Sequence, residues 1–294
     1  MMVPAIRLLD DAFVFSRMPE RPSHSHKGTF GTALCLCGST TYQGAALMAA
    51  EGALRSGAGI VQLASVQPIL TACVIRLPEC TLLPLKQTPL GSPSVENLDL
   101  LSSFISKRQA FLAGCGLTNC EDTAKLVHAL VPMCQCSVVL DADGLNVCQG
   151  GELPHPEKGM LIVTPHPGEM AALTGKTVEE IQENRVQAAL QFAKENNCIT
   201  VLKGHHTIIA APDREVFENP TGNSGLAKGG SGDILAGMIT GFVAAGLSAL
   251  DAAICGVYLH GLAADFCAAR KSQTAMLPHD ILDDLGPLLA QKGF

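Results

Sequence analysis

Asn219-Pro220-Thr221-Gly222-Asn223-Ser224-Gly225-Leu226-Ala227-Lys228-Gly229-Gly230-Ser231-Gly232-Asp233 runs straight into an uncharged apolar stretch, 234–250. Gly225, Gly229, Gly230 and Gly232 fall within nine residues, more glycine than a helix cap requires. Gly-rich backbone entering a helix exposes several N–H groups. Together with the helix dipole they suit phosphate oxygens, or charge that develops on them. A carboxylate at the start of that helix, Asp233, lies within reach of the same phosphate and can accept a proton from an attacking hydroxyl. The plainer alternative is a Gly-rich turn with Asp233 as N-cap. The run 234–250 must also be weighed as a membrane span. It falls short of about 20 strongly apolar residues and is interrupted by Gly237, Thr240, Gly241, Gly246 and Ser248, so two buried helices broken at Gly246 fit better.

Outward from this segment, short apolar runs alternate with Ala-rich helical stretches. Strands are expected at 33–37, 60–64, 110–113, 137–141, 161–164, 199–203 and 207–210. Helices are expected at 45–55, 121–131, 178–195, 233–245 and 249–269. Continuous rather than alternating apolar strands indicate a sheet covered on both faces, and the β–α alternation implies right-handed crossovers and a mostly parallel sheet. Ligands bind such sheets beyond the carboxyl ends of the strands. Gly38-Ser39, Gly114-Cys115-Gly116, Asp141-Ala142-Asp143, Thr164-Pro165-His166 and Lys203-Gly204 all fall there. Residues 1–26 are expected to form an irregular arm and 27–294 a single domain. Residues 84–94, with Pro84, Pro89 and Pro93, are expected to form a surface loop.

The 294-residue chain is 47% hydrophobic and 16% charged, which fits a folded protein with a large core. Its net charge of −7 and lack of a basic patch disfavour nucleic acid as a partner. Twelve cysteines include the C-x-C pairs Cys35/Cys37 and Cys134/Cys136 in or beside apolar runs, with no histidine at zinc-like spacing. They read as buried, reduced thiols. Asp10 and Asp11 precede any apolar run long enough for a secretory signal, so a cytoplasmic location is expected, with no membrane partner.

The glycine segment resembles the C-terminal signature of ribokinase-like enzymes, and more specifically that of the ADP-dependent NAD(P)H-hydrate dehydratases. Further runs agree and keep the family's order: Lys27-Gly28-Thr29-Phe30-Gly31, Gly38-Ser39, Gly44-Ala45-Ala46, Arg55-Ser56-Gly57-Ala58-Gly59, Asp141-Ala142-Asp143-Gly144-Leu145-Asn146, Thr164-Pro165-His166-Pro167-Gly168-Glu169-Met170 and Val201-Leu202-Lys203-Gly204. The resemblance spans about residues 27 to 290 and implies a ribokinase-like three-layer α/β/α fold. Thr164–Met170 is more specific to the family than any Gly-rich loop.

The resemblance implies an enzyme that uses ADP, with Mg²⁺, to phosphorylate the ring hydroxyl of hydrated NADH or NADPH. Loss of phosphate would then restore the reduced dinucleotide. It casts Asp233 as the base and Gly229, Gly230, Ser231 and Gly232 as the anion hole. It assigns Ala45, Gly116, His166 and Asp233 to the hydrated dinucleotide. Lys203, Gly204, His205, His206, Thr207 and Gly232 fall to ADP or AMP. Asp141, Asp143, Asn146 and Glu169 would orient phosphate-bound Mg²⁺ through water, or serve only as turn and cap residues; no direct protein metal site is assigned. The sequence departs from the family at Cys115, where Gly-Pro-Gly is usual, at His205, usually small, and at Lys228, where many relatives carry Thr. Lys228 would add a phosphate contact or be solvated. The resemblance also implies a homotetramer and functional pairing with a separate epimerase, the epimerase domain often fused ahead of this one being absent. The alternatives are a vitamin-precursor kinase of the hydroxymethylpyrimidine or hydroxyethylthiazole type, and a catalytically silent nucleotide sensor.

Overall fold

The computed structural model describes residues 5–213 and 215–294. In chain order these form β1 (Ile6–Leu8), α1 (Asp11–Phe15), β2 (Thr32–Leu36), α2 (Gln43–Arg55), β3 (Ile60–Val66), α3 (Gln67–Arg76), β4 (Thr81–Leu85), α4 (Leu98–Ile105), β5 (Ala110–Ala113), α5 (Glu121–Leu130), β6 (Ser137–Leu140), α6 (Asp143–Asn146), β7 (Leu161–Val163), α7 (Pro167–Thr174), α8 (Val178–Glu183), α9 (Arg185–Glu195), β8 (Cys198–Leu202), β9 (Ile208–Ala210), β10 (Val216–Glu218), α10 (Ser231–Ala244), α11 (Ala249–Lys271) and α12 (Asp280–Gln291). The strands make one sheet in the order β1-β10-β9-β8-β7-β6-β5-β2-β3-β4. Only the pairs β8–β9 and β9–β10 are antiparallel.

Both faces of the sheet are covered, as the apolar strands require. Leu34, Leu36, Val138, Leu140, Cys198 and Leu202 enter one core with α4, α5 and α7 to α9. Ala33, Cys35, Val139, Ile199 and Val201 enter the other, with α2 and α10 to α12. The result is the expected three-layer α/β/α architecture.

The apolar run that invited a membrane reading forms α10, a break at Gly246 (φ +103°), and the start of α11. Only α11 is long and apolar enough to cross a membrane among the described residues. Its most apolar window, of mean hydropathy 1.5, is 72% buried within the fold. It is a core helix.

Several expectations need correction. The first 26 residues are not all irregular. β1 pairs in parallel with β10, and α1 is held by stacking of Phe13 on Phe217 and by a 2.7 Å hydrogen bond from the Tyr258 hydroxyl to Asp11. His26 caps the short turn Lys27–Phe30 by accepting from the Gly28 N–H. The helix expected over 178–195 breaks at Asn184 (φ −137°, ψ 53°), so that Arg185 starts a new helix with its guanidinium against β8. Residues 84–94 are only partly a surface loop. Pro84 lies in β4, at the edge where a proline does not interrupt a ladder, and Ser92 and Ser94 are buried.

The helix that carries Asp233 is brought close to α2 by glycines on both sides. A β-carbon on Gly237 would lie 2.1 Å from the Ala49 carbonyl oxygen, one on Gly241 2.4 Å from that of Ala53, and one on Gly52 2.7 Å from that of Ile234. The backbones therefore touch, and α2 comes alongside the N-terminal turn of α10.

Candidate functional site

The carboxyl ends of β6, β7 and β8 and the start of α10 open on one cavity of about 780 Å³. Its walls include Asp141, Ala142, His166, Glu169, Lys203–Thr207 and the whole stretch 226–233. Gly229 is exposed, and Gly230 has φ +104°, a conformation that suits glycine. The turn delivers Ser231, Gly232 and Asp233 as the first residues of a 14-residue helix, so their N–H groups have no partner within the helix.

Four ionisable side chains, Lys203, Asp141, Glu169 and Asp233, meet at the centre. Lys203 donates to Asp141 Oδ1 at 2.7 Å and lies 3.7 Å from Glu169 Oε2. Burial alone would lower the ammonium pKa, but Asp141 and Glu169 outweigh it and Lys203 is pushed up, firmly charged. The Thr164 hydroxyl also donates to Asp141 Oδ1, at 2.6 Å. Asp233 is pushed up to about 7 by burial, then by the neighbouring Asp141 charge, against a hydrogen bond from Cys115 and the pull of Lys203. A carboxyl half-ionised near neutrality is suited to proton transfer at physiological pH.

The other expected residues divide by position. Gly204 (φ +145°) sits against Arg185, whose guanidinium donates to the carbonyls of Leu202 (3.0 Å) and Lys203 (3.3 Å) and so shapes the turn behind Lys203. His205 and His206 are exposed and line the cavity, and His206 (φ +54°) is bonded to Glu218. His166 lines the cavity and caps α7. Its Nδ1 accepts from Gly168 N and Glu169 N, while the Glu169 carboxylate accepts from His166 N at 2.8 Å. The capping role and the cavity position thus coexist.

Ala45 and Gly116 do not line this cavity. They lie against each other beside it: a β-carbon on Gly116 (φ +66°) would come 2.8 Å from that of Ala45 and 2.7 Å from that of Tyr42. Asp143 and Asn146 are not among the cavity walls either. Asp143 accepts from Thr118 N at 2.8 Å and from Asn146 Nδ2 at 3.2 Å, so both serve the loop after β6.

One residue of the site, His260, had no sequence signal, and Ser231, expected in the anion hole, shares a feature with it. Among the described residues Ser231 Oγ and His260 Nε2 are buried without a hydrogen-bond partner, and both residues line the cavity. His260 comes from the apolar middle of α11, and burial lowers its imidazole to about 4, so it is neutral. Lys228 departs from both of its expectations, since its ammonium bonds to backbone carbonyls of the segment before α12.

The sheet order, the glycine turn and the carboxylate at a helix start together define a ribokinase-like α/β protein. A family profile described as NAD(P)H-hydrate dehydratase matches residues 33–286. The ADP-dependent (S)-NAD(P)H-hydrate dehydratase of Bacillus subtilis is 38% identical over 274 residues, covering 92% of this chain and 94% of that protein. A bifunctional NAD(P)H-hydrate repair enzyme of Moorella thermoacetica is 40% identical over 280 residues, but this chain spans only 53% of its length. The crystal structure of the ADP/ATP-dependent NAD(P)H-hydrate dehydratase from Bacillus subtilis, co-crystallised with ATP and Mg²⁺, superposes with a TM-score of 0.87 at 35% identity, covering 97% of this chain and 98% of that one. The chain belongs to the NAD(P)H-hydrate dehydratase family.

Proposed function

We propose that this protein dehydrates the S form of hydrated NADH and NADPH at the expense of ADP, releasing AMP and phosphate. The observation that carries this reading is Asp233. Its carboxyl, with a pKa near 7, stands at the head of α10 beside a glycine turn that lines the same cavity. Asp233 takes the proton of the ring hydroxyl, and the freed oxygen attacks the β-phosphorus of ADP, with AMP leaving. The phosphate ester then departs as inorganic phosphate with loss of a proton from the neighbouring ring carbon, which restores the double bond. The backbone of Gly229–Gly232 offsets the charge on the phosphoryl group in flight. Lys203, whose Nζ would lie 3.2 Å from a β-carbon on Gly232, adds a fixed positive charge at that place. His166, at the cap of α7 in the cavity wall, orients the dinucleotide. The turn Gly204–Thr207 receives the adenosine end of ADP; Ala45 and Gly116, outside the cavity walls, are assigned to the dinucleotide by the family resemblance alone.

The acidic groups fit Mg²⁺ only at one remove. Both Asp141 and Glu169 are already engaged by Lys203, and Asp141 also by Thr164. The ion would therefore be carried on the phosphates, with these carboxylates holding its waters; when bound it neutralises phosphate charge. The same reading includes a cytoplasmic homotetramer served by an epimerase that supplies the S form.

The test is a rise in absorbance near 340 nm when protein and Mg²⁺ meet hydrated NADH and ADP. A rise with ATP alone would keep the reaction and change the nucleotide. No rise with either, together with ATP consumption on hydroxymethylpyrimidine or a thiazole alcohol, would replace this reading with the vitamin-kinase one.

A further inference from the structure

Lys228 stands one residue before the glycine turn, and its three ammonium protons all have partners. Its Nζ donates to the backbone carbonyls of Gln273 (3.3 Å), Thr274 (2.9 Å) and Met276 (2.6 Å), in the connection between α11 and α12. An ammonium has three donors, so none is left for a phosphate oxygen.

The surroundings show what this grip holds. Upstream, Ser224 bonds Gln273 at 2.7 Å and Gly225 packs so tightly on Met276 that a β-carbon there would come 2.2 Å from the sulfur. Downstream, a β-carbon on Gly229 would meet nothing within 4 Å among the described residues. Ser231 N donates back to the Lys228 carbonyl at 3.4 Å, linking the start of α10 to the same residue. Gly230 also lies against Met48 of α2, where a β-carbon would come 2.5 Å from the sulfur. Lys228 adds the side-chain hydrogen bonds that tie the head of the turn to the α11–α12 connection.

We propose that Lys228 is a positioning residue: its ammonium fastens the turn Gly229–Gly232 to the α11–α12 connection, so that the phosphate-binding backbone is preformed before the nucleotide arrives. The proposal rests on the reading of that turn as the phosphoryl site. The charge of Lys228 is spent inside the protein, and its effect on the reaction passes through backbone order.

Two variants separate a tether from a direct phosphate contact. Lys228→Met keeps the stem and removes every donor. Lys228→Arg keeps the charge, but a planar fork does not converge on three carbonyls as an ammonium does. In the tether, both variants speed amide exchange of Gly229–Asp233 in the unliganded protein by about tenfold or more. Both lower kcat by about tenfold, with KM for the hydrated dinucleotide within about twofold of the parent. Parent-like exchange and kcat in the Met variant would overturn the proposal. So would an Arg variant at parental rate beside a Met variant that loses only ADP affinity, since that is the pattern of a phosphate contact. Should the Met variant fail to fold, Lys228→Gln replaces it with the same expectations. A parent protein without turnover would count against the functional reading alone, because exchange reports on the tether without substrate.

Discussion

Above neutral pH, Asp233 is an ionised group that its surroundings disfavour, by burial first and by Asp141 second. Its pKa rises from 3.8 unfolded to about 7 folded. The folded state therefore loses stability as pH climbs between those values and regains none above them. Asp233→Asn removes that cost. It is expected to abolish most turnover, about 10²–10⁴-fold in kcat, with ADP binding retained. It should also raise unfolding free energy by about 1–3 kcal/mol at pH 8, and by nothing near pH 3.5. Denaturation of both proteins at the two pH values checks the sign; a variant less stable at pH 8 would contradict the burial argument. His166 allows a similar separation. Asparagine can still cap α7, so His166→Asn should raise KM for the dinucleotide several-fold and leave KM for ADP alone, whereas alanine should also cost about 1 kcal/mol of stability. An equal effect on both substrates would remove His166 from the dinucleotide side.

At the scale of elements, the α2–α10 contact decides where Asp233 points. Gly237→Ala places a methyl 2.1 Å from the Ala49 carbonyl oxygen, which only separation of the two helices relieves. A loss of about 1–3 kcal/mol in urea denaturation is expected, with a fall in kcat because α10 moves as a unit. Unchanged stability would mean that the helices part without cost. Much of this level was legible in the sequence. β5 and the heads of β3 and β6 fall where expected, because these strands are largely apolar runs. The glycine segment drew attention to the start of α10 for the same reason that it works there, which is exposed backbone N–H. What escaped notice were elements set by tertiary partners. β1 and β10 have three residues each, too few for a period; α7 was signalled only through Glu169 as a cap residue, since Pro167 suits a first helical turn as well as a loop. Arg185 carried no signal because its task, bonding the carbonyls behind Lys203, exists only once β8 is beside it.

Across the whole molecule, the N-terminal segment and the catalytic end meet at Tyr258. Its hydroxyl holds Asp11 and its carbonyl accepts from Thr221 at the head of the glycine segment. Phe13, buried between Arg7, Arg17 and Phe217, anchors the segment. Phe13→Ala should cost about 3–5 kcal/mol and lower the melting temperature. A loss below about 1 kcal/mol, within the range of ordinary surface substitutions, would show the segment to be dispensable. Composition alone could not foresee this, since the three residues of β1 carry no strand signal until the sheet edge at β10 is known.

The shared field of Asp141, Lys203 and Asp233 also governs heat and protons at the moment of binding. A polyanion arriving beside a carboxyl with a pKa near 7 pushes that pKa higher, so ADP association should draw a fraction of a proton from the buffer. Calorimetry at pH 7 in two buffers of different ionisation enthalpy would read that uptake as a difference in apparent heat. By linkage, the affinity for ADP then weakens as pH rises, over the same interval in which the base becomes competent. The best working pH is accordingly a compromise between holding the nucleotide and using it.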